Sequence, residues 1–128
     1  MMDSNEYSCI GDINLEVIMS VLSRDDWDAI SFDREAGYYD TWALSFEPYM
    51  YSFFHFTNWN KVVNMMRDEF RKLLADYKNN KPDELIPVYS AFNGFSIYKT
   101  DKFVNCKYDS NINLIQKNNA RIRIFKIW

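Results

Sequence analysis

From Trp59 to Tyr77 the apolar side chains return at helical spacing: Trp59, Val62, Val63, Met66, Phe70, Leu73, Leu74 and Tyr77. Held for about five turns of 3.6 residues, this period predicts an α-helix over Asn60–Tyr77 with one face that must be buried. Thr57 or Asn58 supplies the cap, and Lys78-Asn79-Asn80-Lys81-Pro82-Asp83 reads as a polar exit loop. One helix cannot bury its own apolar face, so the rest of the chain has to provide a surface for it.

That surface is written as strands. Trp27-Asp28-Ala29-Ile30-Ser31-Phe32 is an apolar-rich run of strand length, closed by the charged turn Asp33-Arg34-Glu35-Ala36-Gly37. Tyr38 to Leu44 is a second candidate. Leu85–Phe92 and Phe95–Lys99 are two more, and Asn93-Gly94 between them is a strong hairpin signal. Pro87 places the first of that pair at an edge or at its own beginning. The stretch Ser90–Phe95 reads equally as a binding loop, with Gly94 letting a ligand approach the backbone closely. Ala120 to Trp128 alternates as a closing strand, with Ile122 and Ile124 on one face and Arg121 and Arg123 on the other.

Three smaller elements complete the expectation. Asp12 stands as N-cap of a helix over Ile13–Ser23, whose Leu15, Ile18, Met19 and Leu22 share one face. Thr100 caps a short turn through Phe103 and Val104, and Lys107–Asn119 is polar and loop-like. Tyr49–Phe56 is strand or buried loop, its aromatics either core or a platform for sugar rings. The expected fold class is α/β: a mixed sheet with one long amphipathic helix packed on it, in a single domain over 1–128.

Composition narrows the function classes. Hydrophobic residues make up 48% and aromatics 18%, which is globular rather than disordered. A net charge of −3 without a dense basic patch argues against a nucleic-acid partner. Cys9 and Cys106 suit a reducing compartment, and the lone His55 leaves little for histidine chemistry. The acidic start MMDSNEYS is no signal peptide, and no apolar run approaches the roughly 20 residues of a membrane span. A soluble, intracellular chain is expected.

Asp40 is the candidate functional residue. It sits among Tyr38, Tyr39 and Trp42, where an ionised carboxylate costs several kcal/mol or more to bury unpaired. At the start of the chain, Asp3-Ser4-Asn5 reads as a frayed acidic terminus or as oxygen ligands for a hard cation.

Three blocks together resemble a known family: WDAISFDREAGYYDTWAL (27–44), SAFNGFSIYKTDKFVNCKYD (90–109) and NNARIRI (118–124). In that order they resemble the glycosyltransferase-like proteins of large DNA viruses, related to the fungal capsule-associated mannosyltransferases. The resemblance spans nearly the whole chain but matches only the second, acceptor-binding half of such a GT-A enzyme. It implies transfer of a sugar from a nucleotide sugar to a hydroxyl acceptor with Mn or Mg present. Asp40 would orient or deprotonate the acceptor, while Tyr39, Trp42, Asn93 and Gly94 would shape the sugar pocket. Asp3 would match the first metal acid, and Asn5 replaces the second, which lowers the expected metal affinity. A Cys-Glu-His-like segment of the family is replaced here by SNINLIQKNN between Asp109 and Ala120.

The nucleotide-binding half of the family pattern has no counterpart, so an inactive, truncated remnant is expected, in host cytoplasm if the chain is viral. The alternative is a non-catalytic carbohydrate-binding or protein-interaction module using the aromatic surface. A bared sheet edge along Trp27–Phe32 would favour self-association or a partner polypeptide.

Overall fold

The structure, a computed structural model, describes residues 14–33, 38, 40, 43–48, 59–105 and 121–125. Its first element is α1 (Leu15–Leu22). Asn14 is the cap: its side-chain oxygen accepts from the Glu16 and Val17 N–H groups at 3.0 and 3.2 Å. Asp12, the expected cap, lies outside the described residues. The buried side of α1 also differs from expectation. Val21 is fully buried and Val17 and Ile18 pack partly beneath the helix, while Leu15, Met19 and Leu22 stay exposed. Two apolar stripes share this helix. The Trp27 indole N–H donates to Val21 O at 2.9 Å, which turns the Val21 stripe inward.

Four strands form one mixed sheet: β1 (Ala29–Phe32), β2 (Ile86–Val88), β3 (Ser96–Tyr98) and β4 (Ile122–Phe125), in the order β2-β4-β1-β3. β1 runs parallel to β4 and antiparallel to β3, and β2 is antiparallel to β4. Several expectations change here. β2 and β3 lie at opposite edges, so Asn93-Gly94 joins no hairpin; the connection crosses the whole sheet instead. The closing strand is internal. β1 is paired on both sides, so the Trp27–Phe32 run is no bare edge. Pro87 does sit in an edge strand, where a missing N–H is tolerated.

Among the described residues of Tyr38–Leu44 none belongs to a strand. Asp40 Oδ1 accepts from Ala43 N–H at 3.2 Å, a local turn bond that competes with a ladder. Pairing begins only at Ser45, which bridges Ser90.

The helix α2 (Trp59–Asn80) forms as its spacing predicts and runs three residues past Tyr77. Its Met66, Phe70 and Tyr77 are buried with Leu44, Phe46, Ile86, Val88, Ala91 and Ile124. The opposite sheet face carries Val21, Trp27, Ile30, Phe32 and Leu85, with Phe95, Ile97 and Phe125 packed alongside. The helices α1 and α2 therefore cover opposite faces. A short α3 (Thr100–Phe103) follows β3; Lys99, not Thr100, is its N-cap, and no side chain closes it.

One ion pair ties the sheet together. Asp28, buried just before β1, accepts from the Arg121 backbone N–H at 2.7 Å and from its guanidinium at 3.2 and 3.3 Å. The Arg121 hydrogen bonds hold its carboxyl below the usual range. Among the described residues, no helix is long and apolar enough to cross a membrane.

Candidate functional site

The face of the sheet under α2 is chemically divided. Register puts Ile86, Val88, Ile122 and Ile124 on it in β2 and β4, and these meet the apolar side of α2. In β1 and β3 the same face presents Ala29, Ser31, Ser96 and Tyr98, with Ala29 opposite Tyr98 and Ser31 opposite Ser96. Alternation carries this face on to Asp33, one residue past β1. One half of the face is hydrocarbon. In the other half Ser31 and Ser96 are polar and still buried.

Asp33 marks the rim. Only 5% exposed, it is held in line by its own N–H, which donates to Phe125 O at 2.8 Å. Because β1 and β4 are parallel, their carboxyl ends open at one rim, the position where open α/β sheets take ligands. The crossing from β2 to β3 passes the same rim. Asn93 is 2% exposed, and its Nδ2 donates to Phe32 O at 3.1 Å, pinning that crossing to the end of β1. Gly94 takes φ 88°, a turn that a side chain would oppose.

Tyr38 closes the arrangement. Its ring meets Phe70 of α2 edge-on at 5.1 Å. Its hydroxyl donates to Phe92 O at 2.9 Å and accepts from Phe92 N–H at 2.8 Å. Burial pushes the phenol's pKa up, and the charges of Asp40 and Asp33 push it the same way, against the Phe92 hydrogen bond. This phenol is a neutral structural tie rather than a base, since its proton is committed to Phe92. It also places both carboxylates within electrostatic reach of one hydroxyl. Asp40 is half-buried, its Oδ1 oriented by the Ala43 N–H.

Of the residues singled out by sequence, Asp40, Asn93 and Gly94 fall in or beside this polar half, joined through Tyr38 and Phe92. Tyr39, Trp42, Asp3 and Asn5 lie outside the described residues. Among those described, no group of three or more His, Cys, Asp or Glu side chains is arranged to hold a metal ion. Sequence reasoning assigned Asp33 to a charged turn and gave Ser31 no role. The signal available was alternation along β1, which puts Ser31 and Asp33 on one face opposite Ile30 and Phe32.

Beneath Asp33, Ser31 is 1% exposed, and its Oγ has no hydrogen-bond partner among the described residues. Asp33 and the Asn93 anchor thus lie together at the carboxyl end of β1 in a mixed α/β sheet. Set against family models, curated proteins and solved structures, the chain matches none.

Proposed function

We propose that the chain is a glycosyltransferase-like protein whose polar rim binds the hydroxyl-bearing acceptor. The observation that supports this most is the buried Asp33 at the carboxyl end of β1, beside the Asn93-Gly94 crossing that Asn93 pins to Phe32 O. Carboxylates are acceptors only, so they suit a ligand that offers O–H donors. In a transfer reaction Asp40 would accept the hydrogen bond of the attacking hydroxyl and take its proton as the new glycosidic bond forms. In the same step the bond from the donor sugar to its nucleotide diphosphate would break, the nucleotide diphosphate leaving with the electron pair. Asn93 acts by anchoring the crossing, because its amide N–H is engaged by Phe32 O. The divalent metal, Mn or Mg, and the nucleotide sugar belong to this reading through Asp3 and Asn5, outside the described residues. Among the described residues no group of three or more His, Cys, Asp or Glu side chains is arranged to hold that ion.

A second reading is a carbohydrate-binding module without turnover. The Asp40–Ala43 hydrogen bond favours it, since a carboxylate engaged as a turn cap is a less available base. One experiment separates the two: glycan-array binding by the purified chain, then transfer assays with nucleotide sugars and Mn²⁺. Turnover that is abolished in Asp40→Asn supports the transferase. Glycan binding without turnover, weakened by the same change, supports the module. No binding and no turnover would sink both.

A further inference from the structure

We draw no further inference here: the strongest candidate, the surface patch that Leu15, Met19 and Leu22 form along the exposed apolar stripe of α1, carries nothing because nothing in the structure shows what covers it.

Discussion

Asp28 shows how a single side chain can join distant parts of the chain. Its carboxylate takes the Arg121 backbone N–H as well as the guanidinium, so it fixes where β4 enters beside β1. The guanidinium is half exposed, and solvent screens its share. The backbone N–H bond adds to that share, and Asp28→Ala should cost about 1–3 kcal/mol in a urea melt. The pH dependence has a definite sign. The folded-state carboxyl lies below its ordinary value, so its contribution is complete above about pH 4 and is lost as pH falls through the lower folded value. Urea midpoints measured from pH 5 to pH 2 should therefore fall more steeply for the wild type than for Asp28→Asn. Tyr38 behaves oppositely. Its folded pKa is raised, so its contribution is intact below about pH 10 and is lost above it. Tyr38→Phe should lose about 1–3 kcal/mol at neutral pH by leaving the Phe92 N–H and carbonyl without the hydroxyl. It should also flatten the alkaline fall in stability, which the same melts at pH 9 to 11 would record.

Among the elements, α2 was the most legible, because helical spacing held over many turns has one physical meaning. Its Phe70 meets both Tyr38 and Phe46, at 5.1 and 5.3 Å, so it joins the core to the site. Phe70→Ala should cost about 3–5 kcal/mol by calorimetry and weaken any glycan binding as Tyr38 loosens. The alternation of Ile122 and Ile124 was equally readable as a strand, but its internal place was not. Local pattern states which face a residue takes and says nothing of which neighbour lies beside it. For the same reason Asn93-Gly94 misled: the turn chemistry is real, as Gly94 shows, yet a turn residue serves a crossing as well as a hairpin. On α1 the sequence offered two apolar stripes, and only contact with Trp27 chose between them. Of the candidate residues, Asp40 stood out as a carboxylate among aromatics, and Asn93-Gly94 as a hairpin or binding-loop signal. Ser31 and Asp33 could be placed on one face by alternation along β1, but that this face is buried opposite β3 is settled only by the pairing.

At the scale of the molecule, the described residues bury two apolar clusters on opposite faces of the sheet. Substitutions should report which stripe of α1 belongs to it. Val21→Ala removes fully buried surface and should cost about 2 kcal/mol, whereas Leu15→Lys and Met19→Lys should change the urea midpoint by no more than about 0.5 kcal/mol. A loss of stability in the two lysine variants as large as in Val21→Ala would mean that the exposed stripe is covered in solution.

The strand order also bears on how the chain is made. A ribosome releases β1, β2 and β3 before β4, yet β4 is the strand that stands between β2 and β1. Until it emerges, β3 can pair with β1, but β2 lacks β4, the strand beside it in the described sheet. The parallel contact that completes the sheet joins Ala29 to Ile122 across most of the chain, a long closure that slows folding. Ile86 and Val88 therefore lack that partner until β4 is made, with Pro87 between them. By withholding an N–H from an otherwise adhesive segment, that proline guards the nascent chain during the interval before β4 arrives.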